Sequence, residues 1–325
     1  MIRLYQLAFG ACVGLFGLTS EANAQDQPRR VGVLLVGYST ESKQVQEFRQ
    51  GLRDAGYAEG RDVVIEWRSA NGDYDRLPEL VADLLQRQVE MIVVENTVAA
   101  REIKRTTSSL PIVMAIVADP VGSSLVASLA HPGANFTGLS LMLRELSAKR
   151  LQILKEALPH VARVAVLWNP TVPWHAKVIE DLKVAAPSLS LTLTFVSVRT
   201  PEGIGPALSA VKGARAQALY VVEDPIFQVH RATLLDLATN ARLPTIHGNR
   251  RYVDAGGLIS YGADYGDLFR RSAWYVDKIL KGVKPSDLPI EQPAKFDLVV
   301  NLRTAKVLGI ALPESILLRA DEVIR

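Results

Sequence analysis

Four carboxylates stand where apolar runs of the chain stop. Glu95 follows Met91-Ile92-Val93-Val94, Asp119 follows Leu110–Ile116, and the adjacent pair Glu223 and Asp224 follows Ala218–Val222. Carboxyl groups so placed can act as a general acid–base pair or receive an ammonium group. Nothing in their spacing demands the first. Hydroxyls and amides accompany them: Ser39, Asn96-Thr97, Asn169 and Thr171. Ser39, Thr97 and Thr171 each precede a helical pattern, so they read equally well as N-caps, worth about 1 kcal/mol each. Helix N-termini that face a cleft carry free N–H groups and partial positive charge, which suits a ligand carboxylate. Tyr38, Trp168, Phe227 and Tyr261 could wall an apolar or aromatic part, although Trp168 closes an apolar strand and reads first as core. The candidate binding set is Tyr38, Ser39, Asn96, Thr97, Asp119, Asn169, Asp224 and Tyr261.

Other chemistries lack their signatures. No Gly-x-x-x-x-Gly-Lys-Ser/Thr loop and no Gly-x-Ser-x-Gly elbow occurs. No Gly-x-Gly-x-x-Gly follows the first apolar run, Val31–Val36. The five histidines, His131, His160, His175, His230 and His247, are scattered without metal-ligand spacing. His247 alone closes a predicted strand and is a weaker ligand candidate. The single cysteine excludes a disulfide framework or a cysteine-ligated zinc site. A net charge of +3, from 37 basic and 34 acidic residues, is too small and dispersed to argue for nucleic acid. No catalytic residue, metal or cofactor is expected. Asn135-Phe136-Thr137 matches a glycosylation pattern and reads as a turn.

The elements that must position the candidate residues alternate between strand and helix. Val31–Val36, Val63–Trp67, Met91–Val94 and Leu110–Ile116 are short apolar runs, as expected of strands buried on both faces. Between them run Gln44–Gly56, Leu77–Gln88 and Val98–Ser108 with helical spacing; Val45, Phe48, Leu52 and Ala55 share one face. The order then returns with strands at Arg163–Trp168, Leu191–Val198, Ala218–Val222 and Pro244–Ile246, and helices at Trp174–Ala186, Gly205–Gly213 and His230–Ala241. Val33 and Val166 lie 133 residues apart, as do Leu110-Pro111 and Leu243-Pro244. A chain of 325 residues with 48% hydrophobic and 22% charged residues suits two such domains. Parallel βαβ units with right-handed crossovers follow. The tail breaks the repeat with strands at Gly257–Tyr261 and Phe296–Val300 and helices at Tyr265–Leu280 and Leu302–Leu308.

The expected fold class is therefore α/β, with two Rossmann-like lobes of parallel sheet joined by a hinge of several crossovers. The expected division is residues 28–140 plus about 258–285 in the N-terminal lobe, and 141–257 plus about 286–325 in the C-terminal lobe. Ligands of open parallel sheets bind beyond the carboxyl ends of the strands, where the candidate residues stand.

The first residues read as an address. Arg3 precedes the uncharged apolar run Leu4–Leu18, and Ala22-Asn23-Ala24 supplies a cleavage site after Ala24. As a helix, 15 residues rise only about 22 Å, short of a ~30 Å bilayer core. Lipidation at Cys12 is the rival reading, but Phe9-Gly10-Ala11 suits it poorly. Residues 1–24 are thus expected to be a signal peptide and the product periplasmic.

Several stretches resemble the family of ABC-transporter substrate-binding proteins that includes tryptophan and tyrosine carriers. They are Phe48-Arg49-Gln50-Gly51-Leu52-Arg53-Asp54-Ala55-Gly56-Tyr57, Tyr74-Asp75-Arg76-Leu77-Pro78, Asp119–Gly133, Val164–Pro170, Phe296–Lys306 and Leu318–Ile324. The resemblance implies a type I periplasmic binding protein that captures a small amino-acid-like solute by closing its lobes. It implies a monomer that hands the solute to an ABC permease in the inner membrane and carries no cofactor. The family's strand-end segments match at Ser39, Asn96-Thr97, Asp119, Asn169 and Asp224. Glu95, Glu223 and His247-Gly248-Asn249 depart from the small or aromatic residues of that pattern, and acidic groups beside a cleft disfavour a plain anion. A ligand sensor presenting its closed form to a receptor, or an enzyme on the same fold, are the rival readings.

Overall fold

The computed structural model describes residues 28–325. The expected signal peptide lies outside the described residues. The first half builds β1 (Arg29–Leu35), α1 (Lys43–Asp54), β2 (Val63–Ser69), α2 (Leu77–Gln86), β3 (Met91–Val94), α3 (Thr97–Thr106), β4 (Ile112–Val117) and β5 (Phe136–Ser140). The second half continues with α4 (Ser147–Ala157), β6 (Arg163–Trp168), α5 (Pro173–Ala185), β7 (Thr192–Ser197), α6 (Ile204–Gly213) and β8 (Ala218–Val221). It goes on to α7 (Pro225–Val229), α8 (Arg231–Asn240), β9 (Thr245–His247), α9 (Arg250–Asp254) and β10 (Ile259–Gly262). The tail is α10 (Tyr265–Leu280), β11 (Asp297–Asn301), α11 (Leu302–Leu308), α12 (Glu314–Arg319) and β12 (Glu322–Ile324).

These strands form two sheets, ordered β2-β1-β3-β4-β5 and β12-β11-β10-β9-β8-β6-β7. All pairings are parallel except β10 with β11. The expected α/β architecture of two parallel lobes is the observed one. Every residue of β3, β4 and β5 is buried, which is why the apolar runs of β3 and β4 show no alternation. Strand order reverses between β1 and β3 in the first sheet and between β6 and β8 in the second. Helices cover opposite faces on either side of such a reversal, so a crevice opens there.

The segment Asn135-Phe136-Thr137 is not the expected turn. Phe136 opens β5, and the fully buried Thr137 donates its hydroxyl to the Leu288 carbonyl at 2.7 Å. The lobe boundaries also move. β10 pairs with β9 and β11 in the second sheet, so the chain returns to the first lobe only after Gly262, not at about 258. It leaves again later than about 285. Glu291 still runs beside β5, donating its N–H to Gly138 and accepting from Ser140. With the passage from β5 to α4, the chain crosses between lobes at three places. Backbone pairing sets these limits, and hydrophobicity alone does not reveal it.

Two glycines allow close approaches that this geometry needs. A Cβ on Gly51 of α1 would strike the Arg270 carbonyl and lie 2.8 Å from the Ala273 Cβ, so α1 and α10 touch backbone to backbone. A Cβ on Gly262 would overlap the Gly248 carbonyl oxygen just where β10 hands the chain across.

Candidate functional site

The two strand reversals face each other across the gap between the lobes. From the first lobe come Gly37-Tyr38 after β1 and Glu95-Asn96-Thr97 after β3; from the second come Asn169 after β6 and Glu223-Asp224 after β8. A cavity of about 40 Å³ lies between them, lined by Glu95, Asn96, Thr97, Glu223, Asp224, Gln228 and Tyr265 on its polar side. Ile116, Ala118, Leu141, Leu143, Trp174 and Pro225 form the apolar side.

Each carboxylate is fixed by main-chain donors. Glu95 Oε2 accepts from the N–H groups of Val36 and Gly37 at 2.7 and 2.9 Å. Glu223 Oε1 accepts from Gly248 N–H at 2.7 Å. Asp224 Oδ1 caps α7 through Ile226 N–H at 2.8 Å, while its Oδ2 accepts from Asn169 Nδ2 at 3.2 Å and from the Tyr74 hydroxyl at 3.4 Å. Burial outweighs these bonds. It pushes the carboxyls of Glu95, Glu223 and Asp224 up to about 7. Bonds from main-chain N–H groups oppose the rise in all three, and the charge of Arg150 also opposes it at Glu223.

Behind the strand ends sits His175, fully buried on α5. Its Nδ1 accepts from Asn169 N–H at 3.1 Å and its Nε2 lies 3.0 Å from the Glu223 carbonyl. An acceptor at Nδ1 requires the proton on Nε2, which then donates to that carbonyl. Burial holds the ring neutral, its pKa driven down to about 3. His175 therefore ties the ends of β6 and β8 together and carries no charge to the cavity.

The lobes also bond directly. Gln228 Nε2 donates to the Gly37 carbonyl at 3.2 Å, and Asn249 Nδ2 donates to the Tyr38 hydroxyl at 3.2 Å. The Arg251 guanidinium lies 4.7 Å from the centre of the Tyr38 ring. At the rim Lys177 of α5 pairs with Asp119 at 3.7 Å.

Of the sequence candidates, Asn96, Thr97 and Asp224 line the cavity. Tyr38 and Asn169 stand behind it, Tyr38 in the contact between lobes and Asn169 on Asp224. Ser39 is exposed, Asp119 belongs to the rim ion pair, and Tyr261 packs against Phe296. These three do not line the cavity. His247 stacks on Tyr252 with centroids 4.1 Å apart and stays clear of it too. The N-caps expected at Ser39, Thr97 and Thr171 fall elsewhere, because each helix starts one or more residues away. Ser42 caps α1, Asn96 caps α3 through Val98 and Ala99 N–H groups, and α5 starts after Val172 with no side-chain cap, while Asn249 caps α9 through Arg251 N–H.

Sequence reasoning left Tyr265, Gln228 and Trp174 out of the set. Tyr265 opens α10 immediately after a strand, so the strand-end rule could have found it. Gln228 and Trp174 project from helices, where nothing but packing selects them. Arg150, buried on α4, had no signal at all. Its Nε donates to the Tyr261 carbonyl at 2.7 Å and its charge sits behind Glu223.

The chain as a whole is similar to several known proteins. A tyrosine-binding protein of Clostridioides difficile is 25% identical over 275 residues, covering 84% of this chain and 79% of that protein. An ABC domain from Streptococcus pneumonia, solved in complex with L-Trp, is 26% identical with a TM-score of 0.83, covering 91% of this chain and 100% of that one. A conserved domain protein from Vibrio cholerae is 27% identical with a TM-score of 0.84, covering 91% and 99%. Residues 31–324 match the family described as ABC transporter substrate binding protein, and with nearly the whole described chain inside that match, the protein belongs to this family.

Proposed function

We propose that the chain is the extracytoplasmic solute-binding component of an ABC importer. It takes a small amino-acid-like solute between its lobes and presents the closed form to an inner-membrane permease. The observation that carries the reading is the cavity, whose walls come from the strand reversals of both lobes and join three carboxylates to an apolar side. That combination suits a solute with an ammonium group and a hydrocarbon or aromatic body. The tyrosine-binding and tryptophan-bound relatives support an amino-acid-like solute.

In this reading Asn96, Thr97 and Asp224 touch the solute, and Asn169 holds Asp224 for it. Tyr38 takes part by locking the lobes. A cavity of about 40 Å³ holds little more than water, so the lobes must part to admit a solute and then close on it. Closure is a population shift bounded by the solute's differential affinity for the two arrangements. A micromolar solute supplies about 8 kcal/mol in total, enough to close a gap of a few kcal/mol. The leader ending at Ala24 would direct the product to the periplasm, where it works as a monomer.

Native mass spectrometry of protein purified from its source, followed by thermal-shift screening of amino acids and amines, tests the proposal. A bound solute of amino-acid size that raises the melting temperature is the expected result. Chemical turnover of that solute would overturn the reading in favour of an enzyme.

A further inference from the structure

Most of the main-chain donors that normally greet a ligand carboxylate at strand ends are already occupied; α5 alone of the helices after β1, β3, β6 and β8 starts with no side-chain cap. Val36 and Gly37 N–H groups donate to Glu95, Gly248 to Glu223 and Ile226 to Asp224. The first turn of α3 donates to Asn96. The protein's own carboxylates and amides thus fill most of the anion sites from within. No side chain lining the cavity is cationic. Arg150 and Arg251 are near but line no part of it: Arg150 donates to the carbonyls of Tyr261 and Leu143 and sets its charge behind Glu223, its buried Nη2 having no partner among the described residues, and Arg251 lies over the Tyr38 ring.

What remains open is acceptor capacity. Glu95 Oε1 and Glu223 Oε2 take no hydrogen bond among the described residues, although both side chains are more than nine-tenths buried and line the cavity. Tyr265 walls the same cavity, 6% exposed, and its buried hydroxyl has no partner among the described residues. Once ionised, above about pH 7, the two free carboxylate oxygens call for a ligand that brings donors and positive charge, and the Tyr265 hydroxyl, which can donate or accept, adapts to either. An ammonium, with three N–H donors and no acceptor, has that character. Leu141, Leu143 and Trp174 offer apolar surface to its hydrocarbon stem.

We propose that the solute is a net cation, an amine whose ammonium is received by the free oxygens of Glu95 and Glu223, and that a carboxylate on it is a liability. The inference rests on the capture of an amino-acid-like solute between the lobes and narrows its charge. A zwitterion would bring its carboxylate near three acidic groups with most of the main-chain anion sites already filled, which selects against it.

Calorimetry and thermal shift with matched pairs at a pH about one unit above 7, where both carboxyls are ionised, test this: tyramine against tyrosine, agmatine against arginine, and cadaverine against lysine, with 4-hydroxyphenylpropanoate as the anion. At least one amine should bind about tenfold or more tighter than its amino acid, and the anion should not bind. Glu95→Gln and Glu223→Gln should each erase most of that preference. If Glu95→Gln fails to fold, Glu223→Gln and the preference of the native protein decide. An amino acid or the anion binding tighter than every amine overturns the charge assignment and leaves solute capture standing. Binding of none of the seven compounds overturns capture of an amino-acid-like solute itself.

Discussion

Gln228→Ala should loosen the closed arrangement by a calculable amount. Gln228 is buried on α7 and makes two bonds: Nε2 to the Gly37 carbonyl at 3.2 Å, and Oε1 from Asn249 Nδ2 at 3.3 Å. Only the first crosses between lobes; the second survives when they part. A buried hydrogen bond contributes about 1 kcal/mol net. Gly37 keeps a weak second donor, Arg251 Nη1 at 3.5 Å, so its carbonyl is not wholly stranded. The closed form should therefore lose about 1 kcal/mol relative to the open one. Where solute binds only on closure, affinity falls about fivefold. Overall stability drops by about 1–2 kcal/mol, because the bond to Asn249 goes as well. The assay is calorimetry with whichever solute the screen identifies, beside small-angle scattering of the free protein. Affinity should fall and the radius of gyration should rise or stay high. An unchanged dissociation constant with an unchanged scattering curve would refute the assignment of this bond to closure.

Asp224→Ala should weaken solute binding about tenfold or more. It also removes a helix cap and strands Asn169 and Tyr74, so urea unfolding should show a further loss of about 2 kcal/mol; intact affinity by calorimetry would take Asp224 out of the site. Gly51→Ala should lower the unfolding free energy by about 1–3 kcal/mol, because its methyl group would press on Arg270 and Ala273; an unmoved urea midpoint contradicts the packing of α1 on α10. Stability should also fall as pH rises from 5.5 to 7.5. Glu95, Glu223 and Asp224, pushed up to about 7, keep protons in the folded state that the unfolded chain has released, and lose them over this window. His175 and His247, driven down to about 3, act oppositely, since only the unfolded chain protonates them near pH 6. Three groups against two leave a net loss on the order of 2 kcal/mol, and greater stability at pH 7.5 by chemical denaturation would contradict the burial of the carboxyls.

The sequence by itself determined the alternation of strand and helix, the doubling of the architecture and the strand ends at which a ligand would be met. Met91–Val94 and Ile112–Val117 announce themselves because burial on both faces removes every polar position, and α1 does so because Val45, Phe48 and Leu52 recur on one face. Those signals are local: they depend on what each segment must bury, whoever its neighbour is. Tertiary structure alone decided the rest. β5 contains Gly138 and follows an apparent turn, and it is a strand only because β4 pairs with it. β10 is plain as a strand, but its sheet depends on register with β9 and β11. At the site, the strand-end rule reached Asn96, Thr97 and Asp224 alongside Ser39, Asp119 and Tyr261, since it locates backbone and not side-chain direction. Whether Glu95 meets a solute or its own lobe's amides, and whether Tyr265 closes over it, depends on two surfaces made by residues far apart in the chain. Pairing across such distances leaves no periodic trace, because nothing in either segment's own burial requires it.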